Sequence, residues 1–113
     1  MSKADLLISD ISGIMHEFAF LYERPVIIVD HTTGLGGMEG QLIGGESRLK
    51  ALCSNFIMPI DPLEIDQLAD KITIAFETHS PVEIEKTRSE VVYNFGTAGK
   101  VAAKQLVDIL ECP

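Results

Sequence analysis

Leu6-Leu7-Ile8-Ser9-Asp10-Ile11-Ser12-Gly13-Ile14 decides the fold, because an apolar run stops within it and a pattern of helical period begins. Leu6, Leu7 and Ile8 make a short buried-strand pattern, and Ile14, Phe18, Leu21 and Tyr22 then recur at helical spacing. Strand, polar turn and helix in that order place the N–H groups near Ser12 and Gly13 at the carboxyl edge of a sheet. A helix N-terminus there receives a phosphate well. The predicted bounds are Asp5 to Ser9 for the strand and Ser12 to Glu23 for the helix. A second extended run, Val26 to Asp30, completes a β-α-β unit within the first thirty residues.

The boundary at Arg24-Pro25 has a mechanism. Proline disfavours helical geometry in the residue before it and has no N–H to donate to a helix. Val26, Ile27, Ile28 and Val29 then follow as four β-branched residues without alternation. Such a strand is covered on both faces, as in a parallel sheet, and the crossover joining it to the first strand should be right-handed.

Six glycines, at positions 34, 36, 37, 40, 44 and 45, follow the second strand and predict a mobile surface loop from Thr32 to Gly45. Glu39 stands where a dinucleotide fingerprint needs its third glycine, and no Gly-Lys-Ser/Thr occurs, so neither phosphate fingerprint is present. Glu46 to Ser54 reads as a short helix and Phe56 to Ile60 as a third strand. Asp61-Pro62-Leu63-Glu64 supplies an N-cap, a first-turn proline and a first-turn acid for a helix running to about Glu77. Leu63, Ile65, Leu68, Ile72, Ala75 and Phe76 would form its apolar stripe. Ser80-Pro81 opens another helical segment, with Val82, Ile84, Val91, Val92 and Tyr93 as its apolar members. The last helix starts near Gly96-Thr97, with Val101, Ala102, Gln105, Leu106, Ile109 and Leu110 along one side.

The fold class is therefore α/β: a three-layer, Rossmann-like half domain with a parallel sheet of about three strands flanked by about five helices. At 113 residues the chain is a single domain that hides roughly two-thirds of the surface its unfolded chain exposes. No apolar run approaches the ~20 residues of a membrane-spanning helix. Seventeen acids against nine bases give a formal net charge of −8, with no block of Lys or Arg. That balance excludes general affinity for nucleic acid. Cys53 and Cys112 have no companions at metal spacing, and His16, His31 and His79 share no ligand spacing with each other or with either cysteine. No metal site and no cofactor follow, and both thiols read as reduced, in a cytoplasmic setting.

Ala4-Asp5-Leu6-Leu7-Ile8-Ser9-Asp10-Ile11-Ser12-Gly13, then Glu17-Phe18 and Arg24-Pro25-Val26-Ile27, resembles a segment of the CDP-glycerol glycerophosphotransferases that build teichoic-acid-type polymers. Those enzymes have a two-Rossmann-domain glycosyltransferase-like fold. They carry Ala-Asp-aliphatic-aliphatic-Ile-Ser/Thr-Asp-x-Ser-Ser/Gly, an acidic residue and an aromatic shortly afterwards, then a Pro-Val/Ile-Ile strand. The resemblance is densest over residues 4 to 30 and continues weakly over Tyr93-Asn94-Phe95-Gly96-Thr97-Ala98-Gly99-Lys100. It implies that residues 1 to 113 are the C-terminal portion of the donor-binding domain of a larger transferase. That parent would work at the cytoplasmic face of a membrane. Its partners would be a nucleotide diphosphate donor (CDP-glycerol or a nucleotide sugar), a polymer acceptor and the rest of the transferase.

By the same resemblance, Ser9, Asp10, Ser12 and Gly13 would contact the donor's pyrophosphate or glycerol phosphate, and Glu17 would accept from ribose hydroxyls. The family associates catalysis with histidines of preceding segments, so no catalytic residue is assigned here. Where the family has an Arg-Gly-containing segment after the Pro-Val-Ile strand, this chain has its glycine loop and Gly45-Glu46-Ser47-Arg48.

Plainer readings of the same residues stand beside these. Ser9, Asp10 and Ser12 suit an ordinary strand-to-helix turn with a capped helix. Glu17 suits the helix dipole, worth ~0.3–1 kcal/mol in a first turn. His16 is expected at the surface, with ligand contact as the alternative. Asp30-His31, at the ligand-binding edge, suits a hydrogen-bonded loop start or an acid-base pair. The function expected is donor binding within a glycerophosphotransferase or glycosyltransferase; the alternative is a stand-alone, non-catalytic α/β module that binds a nucleotide or anion.

Overall fold

The computed structural model describes residues 3–10, 12–29 and 52–112. Three parallel strands, β1 (Leu7–Ser9), β2 (Val26–Val29) and β3 (Ile57–Ile60), lie side by side in that order. Leu7 pairs with Val26 and Val26 with Ile57, so the three chains start level and all end at one carboxyl edge. Pro25 is fully buried at the entry to β2, where its carbonyl accepts from the Leu7 N–H at 3.3 Å. Val26 N–H donates to the Phe56 carbonyl at 3.0 Å. In a parallel ladder that phase turns the nitrogen of Pro59 away from β2, where a missing donor costs nothing.

The described residues form four α-helices, α1 (Gly13–Tyr22), α2 (Leu68–Thr78), α3 (Pro81–Val91) and α4 (Ala98–Glu111), of which α1, α2 and α3 contribute to the core around the sheet. A 3₁₀ segment, Pro62–Gln67, leads into α2. The count is thus four α-helices among the described residues, not five. Of the helix expected over Glu46 to Ser54, Leu52 and Cys53 are helical and the rest up to residue 51 lies outside the described residues. The glycine-rich stretch from Thr32 to Gly45 also lies outside them.

β2 divides the core. Val26 and Ile28 point to one face and join Phe18, Ala19 and Phe20 of α1, Cys53, Phe56, Ile57 and Ile84. Ile27 points to the other and joins Ile60 and Ala75, with Leu68 and Ile72 of α2 packed around them. Helices therefore cover both faces of the sheet, which explains why β2 is continuously apolar.

The stripe expected along 61 to 77 is only half realised. Glu64 adopts φ −109°, ψ 24° inside the 3₁₀ segment, which kinks the chain, and Leu63 is 92% exposed. Ile65 and Phe76 are also exposed, leaving Leu68, Ile72 and Ala75 to contact the sheet. On α3, Ile84 is buried while Val82 is exposed. α4 buries no residue, and its large apolar side chains Leu106, Val107, Ile109 and Leu110 are all exposed. No helix among the described residues is long and apolar enough to cross a membrane.

Candidate functional site

β1 ends at Ser9, and the chain turns through Ser12 into α1 at the carboxyl edge of the sheet. Ser12 is the N-cap residue in extended geometry (φ −150°, ψ 165°), yet its side chain makes no capping hydrogen bond. Its hydroxyl lies 3.5 Å from that of Ser9, and the Ser9 hydroxyl lies 3.4 Å from Asp10 Oδ1. Both separations are long for hydroxyl donors, so these oxygens keep capacity for a stronger partner. The first turn of α1 contains no acidic side chain to occupy its free N–H groups. A methyl placed on Gly13 would meet nothing within 4 Å. The turn is open, supplies hydroxyls and unspent N–H groups, and suits an anion.

Glu17 and His16 follow one turn along α1 and border a different feature. A groove of about 640 Å³ runs between α1 and the end of α3, with Glu17, Phe20 and Leu21 on one side and Glu90, Tyr93 and Phe95 on the other. Ser9, Asp10, Ser12 and Gly13 do not line it. The structure thus brings Ser9, Asp10 and Ser12 together at the turn and places Glu17 at the neighbouring groove. His16, expected at the surface, is half-buried there, its ring centroid 6.3 Å from that of Phe20. Burial pushes its pKa below the usual histidine value. Asp30 and His31 lie outside the described residues.

Glu90, Tyr93 and Phe95 are the site residues that sequence reasoning missed. Asn94 (φ 55°) and Gly96 (φ 77°) adopt left-handed backbone, which bends the chain after α3. Asn and Gly are the residue types that tolerate it. The Arg88 guanidinium lies 4.2 Å above the Phe95 ring and holds it in place. The signal was present in Tyr93-Asn94-Phe95-Gly96: two aromatics spaced by residues suited to a tight bend.

Cys53 is buried and Cys112 exposed, and both are free thiols. Among the described residues no cluster of His, Cys, Asp or Glu is arranged to hold a metal ion. The sequence matches no family model and no curated protein, and the fold matches no solved structure.

Proposed function

We propose that the turn from Ser9 to Gly13 binds the phosphate groups of a nucleotide diphosphate donor. In this reading the chain serves as the donor-binding segment of a transferase that moves glycerol phosphate or a sugar to a cell-envelope polymer. The observation that carries the reading is the open first turn of α1 at the carboxyl edge of a parallel sheet, with the Ser12 hydroxyl unspent on capping. The resemblance over residues 4 to 30 supplies the donor class. Asp10, a carboxylate beside this turn, would repel a diphosphate; its role is to shape the turn through the Ser9 hydroxyl or to orient an acceptor hydroxyl. Glu17, exposed one turn along, has room to accept from ribose hydroxyls.

The test is a titration of the folded chain with CDP-glycerol and with a UDP-sugar, followed by amide chemical shifts. The expected result is a saturable perturbation at residues 9 to 13, reaching Glu17. Absence of any shift there at millimolar nucleotide would overturn the donor-site reading.

A further inference from the structure

We propose that the groove between α1 and the Glu90–Phe95 segment is a binding site for a small organic cation, a molecule with an apolar body and an ammonium or guanidinium group. This goes beyond the donor reading: Ser9, Asp10, Ser12 and Gly13 do not line the groove, and Glu17 is the one residue that the two sites share. Its volume of about 640 Å³ falls within the range of small-molecule sites. Phe20, Leu21 and Val91 supply apolar wall, and Phe20, Tyr93 and Phe95 supply aromatic rings.

Charge selects the occupant. Glu17 and Glu90 are the charged side chains that line the groove among the described residues, and neither forms an ion pair with another described residue. His16, the remaining titratable group beside Glu17 on that wall, is desolvated, so its ring is mainly neutral at pH 7. Arg88 stands close by, but its charge is already balanced by Glu23 at 3.2 Å. An anion entering the groove would therefore meet two carboxylates that no described cation pairs, whereas a neutral molecule would gain nothing from their charge. A cation gains from both carboxylates and from the negative faces of the rings. The fold already uses that chemistry once: the Arg88 guanidinium stacks on Phe95.

The test uses three probes of similar size with the full chain: phenethylammonium, 2-phenylethanol and 3-phenylpropanoate. Binding is followed by amide shifts of residues 16 and 90 to 95, which the donor reading does not involve. The expected result is that phenethylammonium binds about fivefold more tightly than the alcohol, as expected for a cation over solvent-exposed rings, with the carboxylate weakest. A double variant, Glu17→Gln with Glu90→Gln, should bring the cation down to the affinity of the alcohol while leaving the alcohol unchanged. Equal binding of cation and alcohol, a preference that survives the double variant, or no groove shift at tens of millimolar probe would each overturn the proposal. Nucleotide binding is read separately at residues 9 to 13, so failure at one site is distinguishable from failure at the other.

Discussion

The Arg88 guanidinium pairs with the Glu23 carboxylate at 3.2 Å, joining α3 to the residue that closes α1. Glu23 adopts left-handed backbone (φ 53°, ψ 42°), and its N–H bonds back to the Ala19 carbonyl at 2.9 Å. A non-glycine residue in that region is held there at some cost. Arg88 also donates to the Phe20 carbonyl at 2.6 Å, one of the last-turn acceptors that a helix leaves unpaired. One side chain therefore caps α1, neutralises its closing residue and holds Phe95 against the groove.

Arg88→Ala should destabilise the chain by about 2 kcal/mol, because it strips a charged donor from a part-buried carbonyl. The ion-pair share is small, since Glu23 is 38% exposed and screened by water. Arg88→Lys should recover only part of the loss, as an ammonium has no planar fork to serve the carbonyl, the carboxylate and the ring together. Urea denaturation followed by circular dichroism measures both. Equal stability of Arg88→Ala and the parent would show that α1 is closed without this clamp.

Phe18 and Leu106 separate the core from the surface. Phe18 is 1% exposed within the cluster on the α1 face of the sheet, so Phe18→Ala should cost about 3–5 kcal/mol. Leu106 is 62% exposed on α4, and Leu106→Ala should stay within about 0.5 kcal/mol. A loss at Leu106 approaching that at Phe18 would mean that the apolar side of α4 is covered in solution.

The elements legible in the sequence were those with local causes. Pro25 fixed where α1 had to end, four β-branched residues marked the central strand, and Asp61-Pro62 and Ser80-Pro81 marked two starts. The Asp61 and Ser80 side chains do accept from Leu63 N–H and Glu83 N–H, at 2.8 and 3.4 Å. What local signals could not supply was how far a helix continues with the same geometry. Periodicity assumed α-turns from 61 to 77, whereas the 3₁₀ segment breaks that phase and leaves Leu63 and Ile65 exposed. The site divides the same way. The turn at Ser9 to Gly13 is visible as strand, polar step and helix, but the groove opposite Glu17 needs α3 packed beside α1. Arg88 and Phe20, 68 positions apart, carry no pairwise mark in the sequence.

Gly13 offers a substitution that separates folding from binding. It is the first residue of α1, with open space where a methyl would stand. Gly13→Ala should therefore stabilise the chain by about 0.5–1 kcal/mol through helix propensity and a less flexible unfolded chain. The same methyl occupies the approach to the N–H groups of the turn, so nucleotide affinity should fall. Ser12→Ala should weaken nucleotide binding as well while changing stability by less than about 0.5 kcal/mol, because the hydroxyl it removes makes no cap bond. Thermal melts and nucleotide titrations of the two variants check this, and unchanged affinity in both would overturn the proposal that the turn binds a nucleotide donor.

Cys53 gives a pH dependence with a definite sign. It is 1% exposed, and burial pushes its thiol from the ordinary value of 9.0 up to about 11. Between those values the unfolded chain has lost the proton and the folded chain retains it, so the folded state binds more protons. The contribution is fully present below pH 9 and is lost as pH rises toward 11, with a slope of at most about 1.4 kcal/mol per pH unit. Other groups titrate in that window, so the informative quantity is the difference between the parent and Cys53→Ala, which should lose this slope. Alkylation with iodoacetamide at pH 8 gives an independent reading: exposed Cys112 should react while Cys53 stays protected until the chain unfolds. Equal labelling of the two thiols in the folded chain would mean that the cluster around Phe18, Phe56 and Cys53 opens far more readily than its packing implies.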